Sequence, residues 1–317
     1  MMSSYLLRRA VQAVVILLLV SMIGFVILHL APGGPLSQFA NSGDLTPADV
    51  ARIERTFGLD RPLPVQYVDW LARMLTGDWG RSFRDQQPVL HIIGSHIGAT
   101  VELMLTSTLL AIGLGTSIGI LGAVKRNSLF DSLSTVVTMV LLSIPTFWFG
   151  LLMIYVFSVE LNWLPSGNRY TAGDGSFLNQ VHHLIAPSVV LGLVTMASWS
   201  RYMRSSMLDV INHDFVRTAR SKGLTERRIL LRHILRNALL PMVTIAGLQI
   251  PALLGGALVT ETVFAWPGMG RLFLDSISYR DYPTVMGILM CTAFLVLLGS
   301  LIADLLYGLA DPRIRLT

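Results

Sequence analysis

The sequence predicts an all-α integral membrane protein with six transmembrane helices. Hydrophobic residues make up 53% of the 317-residue chain, and charged residues make up 14%, against about 25% in an ordinary soluble protein. Six apolar runs are each long enough to cross a bilayer, which takes about 20 residues of helix. This composition excludes a disordered chain and argues against a soluble globular protein. The single cysteine, Cys291, excludes an intramolecular disulfide framework and a multi-cysteine metal site.

The six predicted spans share a nearly charge-free centre, and their few charged and aromatic side chains lie near the ends. They are Ala10–Leu30, Val101–Val124, Leu133–Phe157, Leu184–Met203, Ala238–Val263 and Pro283–Leu309. The first run could be mistaken for a signal peptide, but it is longer than the roughly 7–15 apolar residues of such a peptide and no small-residue cleavage site closes it. We therefore expect the first run to be retained as a helix.

The distribution of basic residues predicts that both termini face the cytoplasm. Fifteen of the 24 lysine and arginine residues lie in the N-terminus, in loops 125–132 and 201–237, and in the C-terminus. The short loops on the other side hold only Arg169, Arg271 and Arg280. Short cytoplasmic loops of membrane proteins are enriched in lysine and arginine, which sets this orientation.

The chain divides into three predicted parts. Residues 1–30 form the cytoplasmic N-terminus and the first span, residues 31–100 form a small extracytoplasmic subdomain, and residues 101–317 form the membrane core. Residues 204–237 form the longest cytoplasmic loop of that core. The segment 31–100 is too long for a plain connector, so it is expected to carry structure of its own.

Two helices are predicted in the segment 31–100. Thr46 is placed as the N-cap of the first, because Pro47 and Asp49 favour the first turn of a helix. Val68, Leu71 and Leu75 share one face of the second, amphipathic helix.

The most informative stretch runs from Asp214 to Pro241 and is strongly basic. It predicts two short helices separated by Gly223, which can adopt the left-handed conformation that ends a helix, with Thr225 as the cap of the next one. Such a helix with basic flanks has two interpretations. It is either an interfacial helix that places its arginines at anionic headgroups or a projection that docks into a cytoplasmic partner.

The same stretch resembles the EAA loop of bacterial ABC importer permeases, and more closely that of the dipeptide/oligopeptide/nickel branch. The resemblance in the loop lies in Thr218-Ala219-Arg220, Gly223 and Ala238-Leu239-Leu240-Pro241, although Arg217 stands where the general motif has an acidic residue. Further blocks of the branch follow in the same order along nearly the whole chain. They are residues 77–82, 143–148, 261–270, 281–283, 304–307 and 311–315.

This resemblance implies a type I ABC importer permease fold and a non-catalytic permease subunit. Such a subunit pairs with a paralogous permease in the bacterial inner membrane, binds two ATP-binding subunits, and receives substrate from an extracytoplasmic binding protein. The implied substrates are di- or oligopeptides, with nickel chelates, glutathione or oligosaccharides as alternatives. No cofactor is implied on this chain, because ATP and Mg are held by the ATP-binding subunits, and no nucleic acid is implied.

The resemblance also implies which residues couple transport to ATP hydrolysis. The expected coupling helix and its flanks comprise Val216, Arg217, Thr218, Ala219, Arg220, Ser221, Lys222, Gly223, Leu224 and Arg227. Ala219 and Ser221 are small enough to allow close approach to a partner, and Gly223 supplies the turn. The arginines are expected to contact membrane lipid as well as the ATP-binding subunit.

A translocation path is expected between this chain and its partner permease. Ser143, Thr146, Gln249 and Glu261 are the candidate lining residues, because they are among the few polar groups on the third and fifth spans. The alternative is that they satisfy local backbone groups beside proline residues.

The sequence offers little support for ATP binding by this chain, for an intramembrane enzyme or for a secondary transporter. The chain lacks a phosphate-binding loop of the Gly-x4-Gly-Lys-Ser/Thr type, so it is not expected to bind ATP itself. An intramembrane enzyme would need polar pairs deep in its helices, and a secondary transporter would show inverted repeats and midplane charges.

The adjacent His182 and His183 point about 100° apart on a helix and serve one metal ion poorly. Glu102, Glu261 and Asp304 are interpreted as structural pairs, and the glycines of the second span as sites of close helix packing.

Overall fold

The computed structural model of the chain describes residues 2–30, 52, 60–255 and 257–310. Within these residues the fold is helical and contains no β-strand. The helices of the first part are α1 (Met2–Leu30), α2 (Leu63–Leu75), α3 (Val89–Val124), α4 (Leu129–Ser143), α5 (Thr146–Met153) and α6 (Phe177–Ile211). The second part contains α7 (Asp214–Ser221), α8 (Glu226–Arg228), α9 (Leu235–Ala238), α10 (Leu240–Gly255), α11 (Leu258–Val263), α12 (Met269–Ser278) and α13 (Tyr282–Ala310). A π-helical segment, Ile154–Glu160, continues α5, and another, Ile229–Ile234, joins α8 to α9.

The predicted class, an all-α membrane protein, is confirmed. Over the residues just given, five helices are long and apolar enough to cross a bilayer, and a sixth span results if the bent pair α4–α5 is counted as one. The helix predicted to begin at Thr46 and the sequence block 311–315 lie outside the described residues.

The third predicted span, Leu133–Phe157, is not one straight helix. The axes of α4 and of the helix that starts at Thr146 meet at 104°. Pro145 lacks a backbone N–H and disfavours the helical conformation of the residue before it, and Ile144 is accordingly extended, with ψ 127°. The break therefore has a local cause, whereas its angle is set by packing.

The fifth predicted span, Ala238–Val263, is also wrong as a single helix. The structure ends α10 at Gly255 and begins α11 at Leu258, after Ala257 with φ −115° and ψ 67°. The glycine pair at positions 255 and 256 weakens a helix at this point of the sequence, and hydrogen bonds of Glu261 hold α11 against α12, as described below.

Two helices are longer than the spans predicted within them. α3 has 36 residues and α6 has 35, so each is more than 50 Å long at about 1.5 Å per residue. Both must therefore project beyond a hydrocarbon core of about 30 Å. α6 begins where Ser176 accepts a hydrogen bond from the backbone N–H of Asn179, which is the usual N-cap arrangement.

α3 and α6 pack backbone to backbone along much of their length. A Cβ atom built on Gly115 would lie 2.6 Å from the Cβ of Trp199, and one built on Gly119 would lie 2.6 Å from the carbonyl oxygen of Ser200. The predicted role of these glycines in close packing is confirmed, whereas Gly113 faces open space.

The variant Gly119→Ala is expected to destabilise the fold by about 1–3 kcal/mol, because the added methyl group has no room between α3 and α6. Gly113→Ala on the same helix is the matched control, since nothing lies within 4 Å of its Cβ position. The control is expected to be neutral or slightly stabilising, because alanine favours helix over glycine. Thermal unfolding of the purified variants in detergent measures both effects, and equal melting temperatures would contradict the packing argument.

Two carboxylates near the ends of membrane helices have partners, as the sequence analysis expects. Glu102 on α3 accepts hydrogen bonds from Arg169 at 2.7 Å and from the side-chain amide of Gln180 at 2.6 Å. Asp304 on α13 accepts one from the hydroxyl of Tyr5 at 2.9 Å and pairs with Arg9 on α1. These pairs join elements that are distant in sequence, and their role is structural.

Candidate functional site

The short helix α7 is held to the rest of the chain by one apolar face. Val216 is fully buried and Ala219 is 5% exposed. Both belong to a core cluster with Met207 of α6 and with Ile229 and Ile234 of the following π-helical segment. The hydroxyl of Ser206 on α6 also donates to the carbonyl oxygen of Ala238 at 2.8 Å, which fixes the far end of the loop.

The opposite face of α7 is exposed and is called here the α7 outer face. It consists of Asp214, Arg217, Thr218 and Ser221. Ala219, which the sequence analysis expects at a partner contact, lies on the other side of the helix against its own chain. The small residues of the outer face are therefore Thr218 and Ser221.

The turn after α7 has the predicted left-handed glycine. Gly223 has φ +73°, and no atom lies within 4 Å of the position that its Cβ would occupy. The backbone N–H groups of Gly223 and Leu224 bond to the carbonyl oxygens of Arg220 and Ala219, which closes the end of the helix. Glycine is required here by backbone conformation and not by a contact within the chain. Thr225 occupies the predicted cap position of α8, but its side chain forms no capping hydrogen bond.

Charge on the loop is largely exposed and mostly positive. Arg220 makes a two-pronged pair with Glu226, with Nε–Oε1 at 2.9 Å and Nη2–Oε2 at 3.3 Å, across the Gly223 turn. This hydrogen bond to a carboxylate raises the pKa of the Arg220 guanidinium. On the outer face, Nη1 of Arg217 lies 3.7 Å from Oδ1 of Asp214. The other exposed basic side chains of the loop are Lys222, Arg227, Arg228, Arg232 and Arg236.

Glu261 is the most enclosed charged residue in the part of the chain that the structure covers, with 0% exposure. Its carboxylate accepts hydrogen bonds from the Thr100 hydroxyl at 2.8 Å and from the backbone N–H groups of Gly270 at 2.7 Å and Arg271 at 3.1 Å. It therefore caps the N-terminus of α12, where the helix dipole favours negative charge. Thr100 in turn accepts a hydrogen bond from the backbone N–H of Met269 at 2.7 Å.

Gly268 completes this arrangement, which is called here the Glu261 junction. A Cβ built on Gly268 would lie 2.3–2.5 Å from the carboxylate atoms of Glu261, so only glycine fits. Trp266, which is fully buried, donates its indole N–H to the carbonyl oxygen of Ala99 at 2.8 Å. The junction thus joins α3, α11 and α12.

A second buried carboxylate joins two of the sequence blocks. Asp281, just before α13, is 3% exposed and accepts hydrogen bonds from the Ser82 hydroxyl, the Phe83 backbone N–H and the Thr284 hydroxyl. Both blocks are recognisable in the sequence, but nothing in the sequence indicates that they meet. The separation of 199 residues between Ser82 and Asp281 leaves no local signal.

The four candidate path residues do not converge on one point. Ser143 and Thr146 lie together at the bend between α4 and α5, beside an open cavity of about 510 Å³ lined by Met139, Val140, Ser143, Ile144, Pro145, Phe147 and Trp148. Gln249 lies on α10, which packs against α13, α3 and α6. Glu261 faces the junction with α3 and α12. Of its neighbours there, Thr100 belongs to none of the blocks identified in the sequence, and Gly268 was noted only within the block 261–270.

His182 and His183 have separate partners. His182 Nε2 lies 2.8 Å from the carbonyl oxygen of Trp163, while His183 lies 2.7 Å from that of Gly167 and 3.1 Å from the Thr171 hydroxyl. Among the residues given above, no three histidine, cysteine or acidic side chains form a cluster that could hold a metal ion.

Comparison with known proteins gives matches along nearly the whole chain. Residues 115–316 match the model of binding-protein-dependent transport system inner membrane components, and residues 2–104 match the N-terminal model of the same kind of protein. The oligopeptide transport system permease protein AppB of Bacillus subtilis is 44% identical over 99% of this chain and 100% of its own length. The dipeptide transport system permease protein DppB of Escherichia coli K12 is 36% identical over 99% of both chains.

A solved structure shows the same fold. An inward-facing structure of the MetNI methionine ABC transporter matches 71% of this chain and 99% of its own, with a TM-score of 0.57 and 20% identity. At that identity the match concerns the fold alone.

Proposed function

Because the chain belongs to the family of binding-protein-dependent transport system inner membrane components, we propose that it is the permease subunit through which an ABC importer moves di- or oligopeptides across the bacterial inner membrane. The observation that carries the proposal is the end-to-end identity of 36–44% with permeases named for oligopeptide and dipeptide transport. Those names favour peptides over nickel chelates, glutathione or oligosaccharides.

The proposed assembly contains this chain, a paralogous permease, two ATP-binding subunits and an extracytoplasmic binding protein. Both termini and loop 204–237 face the cytoplasm, in agreement with the excess of basic residues on that side. Residues 31–100 then lie outside, residues 1–30 and 101–317 form the membrane part, and ATP and Mg bind to the ATP-binding subunits alone. This chain makes and breaks no covalent bond.

Coupling to ATP hydrolysis is assigned to the α7 outer face. Its small residues, Thr218 and Ser221, allow the backbone of α7 to approach a groove on an ATP-binding subunit, and Arg217 and Asp214 flank them. The opposite face is packed on α6 through Val216. Since packed cores move as units, a displacement of α7 carries α6 with it, and the close backbone contact of α6 with α3 passes the motion into the membrane.

The translocation path is assigned to the bend between α4 and α5. No side chain caps the N-terminus of α5, and Ser143 is exposed beside the cavity described above. Uncapped backbone at membrane depth is tolerated only where protein covers it or where it lines a water-filled route. The bend therefore supports the earlier assignment of Ser143 and Thr146, whereas the buried partners of Glu261 support a structural role for that residue.

Uptake measurements test the proposed function. The chain is expressed with its neighbouring transporter genes in a bacterium that lacks its own peptide permeases, and import of labelled di- and oligopeptides is compared with import of a nickel chelate, glutathione and an oligosaccharide. Peptide import that requires the binding protein and an intact ATPase is expected. Import of one of the other compounds with no import of peptides would contradict the proposal.

Ser143→Trp in the same assay is expected to lower peptide uptake on the order of tenfold, which corresponds to a rise of about 1.4 kcal/mol in the barrier. The reason is that the indole ring would fill part of the cavity at the bend. Ser132→Trp, at an exposed position near the start of α4, is the matched control and should transport normally. Equal uptake by both variants at equal membrane levels would remove Ser143 from the path.

A further inference from the structure

Helix α2 packs against α1 around Ser21 and Phe25, several residues before α1 ends at Leu30. The hydroxyl of Tyr67 lies 2.8 Å from that of Ser21. The ring of Phe25 lies 5.5 Å from that of Tyr67 and 6.0 Å from that of Trp70. One face of α2 is therefore attached to α1 by aromatic packing and a hydrogen bond.

The position of this contact along α1 gives its depth. Ser21 precedes Leu28 by seven residues, and Leu28 lies close to the end of the apolar run. At about 1.5 Å per residue, Ser21 lies about 10 Å further into the membrane than Leu28. One leaflet contributes about 15 Å of hydrocarbon, which is half of about 30 Å. The inner face of α2 is thus at the depth of lipid chains and not in bulk water.

The outward side of α2 is apolar as well. Val68 is 61% exposed and Leu75 is 75% exposed, and Val65 lies on the same side of the helix at 42% exposure. The polar side chains Asp69 and Arg73 occupy a separate edge of the helix, opposite the arc of Leu71 and Leu75. Arg61, just before the helix, pairs with Asp69 at 2.8 Å along this edge. An apolar arc with one polar edge is the pattern of a helix that lies in the plane of a membrane interface.

The chain that follows α2 also contacts the membrane helices. Trp79 packs against Val89 at the start of α3 and against Gly287 and Ile288 in the second turn of α13. Three residues later Ser82 bonds to Asp281, immediately before α13 enters the membrane. The segment from Tyr67 to Ser82 is therefore attached to α1 at one end and to the starts of α3 and α13 at the other.

We propose that α2 is an interfacial helix that lies within the leaflet at the C-terminal end of α1, with Val68 and Leu75 in contact with lipid acyl chains. The occupant of this face is lipid because exposed apolar side chains of α1 flank the contact at Ser21 and Phe25: by helical periodicity Leu18, Met22 and Val26 lie beside it, and they are 41–51% exposed. The polar edge formed by Asp69 and Arg73 then faces water. The inference uses the topology proposed above only to name the leaflet as the outer one, and it does not depend on the transported substrate.

Site-directed spin labelling tests this proposal. The full-length chain carrying Cys291→Ala is reconstituted in lipid nanodiscs with a nitroxide at Val68→Cys, at Leu75→Cys or, as the matched control on the polar edge, at Arg73→Cys. Collisions with dissolved oxygen, which concentrates in hydrocarbon, are compared with collisions with a water-soluble nickel chelate. Oxygen is expected to dominate by several-fold at Val68 and Leu75, and the nickel chelate is expected to dominate at Arg73.

Two results would overturn the proposal. Nickel accessibility at Val68 and Leu75 equal to that at Arg73 would place α2 in water, as part of an aqueous subdomain. Shielding of Val68 and Leu75 from both reagents would show that protein covers this face. Neither result would affect the peptide-uptake experiment, so failure of this proposal and failure of the proposed function are distinguishable.

Discussion

Replacing Gly268 by alanine is expected to reduce the amount of folded protein in the membrane to a small fraction of the wild-type level. The added Cβ would lie 2.3–2.5 Å from the carboxylate of Glu261, which is fully buried and has no room to retreat. Overpacking of this kind costs about 1–3 kcal/mol. A displaced carboxylate also leaves the Thr100 hydroxyl and the backbone N–H groups of Gly270 and Arg271 without an acceptor, at about 1–3 kcal/mol for each.

The matched control for this variant is Gly98→Ala on α3, where no atom lies within 4 Å of the Cβ position. It should retain the wild-type membrane level and melting temperature. Membrane levels are measured by immunoblotting, and melting temperatures are measured on detergent-solubilised protein. Glu261→Gln provides a second test, because an amide has one acceptor oxygen in place of two and no negative charge at the N-terminus of α12, and it should also melt lower. A Gly268→Ala protein with wild-type stability would show that the Glu261 junction is not present in the native protein.

Introducing leucine at two different positions of α7 is expected to give two different defects. Ala219→Leu should lower the membrane level or the melting temperature, because Ala219 is packed inside the cluster with Ile229 and Ile234 and overpacking costs about 1–3 kcal/mol. Ser221→Leu should leave stability unchanged, since Ser221 is exposed on the α7 outer face. It should nevertheless reduce peptide uptake by about 30-fold or more, which corresponds to the roughly 2 kcal/mol of a central interface residue.

Uptake, ATPase activity and co-purification of the ATP-binding subunit separate these defects. Thr225→Leu, an exposed change in the same loop but off α7, is the control and should behave like the wild type. Ser221→Leu is expected to lose co-purification or to hydrolyse ATP without transport. Normal uptake by Ser221→Leu at a normal membrane level would remove the α7 outer face from the coupling contact and leave the loop as an interfacial helix.

Features that depend on solvent or on local backbone chemistry were predicted from the sequence. The membrane spans are visible because lipid requires long apolar runs, and the left-handed Gly223 is visible because only its own backbone determines it. The pairing of Glu102 was expected because an isolated charge in the membrane is costly.

Features that depend on tertiary contacts were not predicted. Pro145 accounts locally for the break in the third span, but nothing local indicates an angle of 104°. Val216 and Ala219, three residues apart, share one helix face, but whether that face meets a partner or the protein's own core depends on α6 and the π-helical segment. Thr100 and Glu261 are 161 residues apart, and the hydroxyl of Thr100 has no local signature.

The separation between Thr100 and Glu261 also has a consequence for biogenesis. Synthesis proceeds at roughly 5–20 residues per second, so the 161 residues between them take about 8–32 s to emerge from the ribosome. During that interval α3 is inserted while the Thr100 hydroxyl and the Ala99 carbonyl lack the partners that α11 and α12 later supply. A nascent chain interrupted before residue 261 would present this incomplete helix to chaperones and membrane proteases. The Glu261 junction therefore forms only after the chain has been synthesised past residue 271.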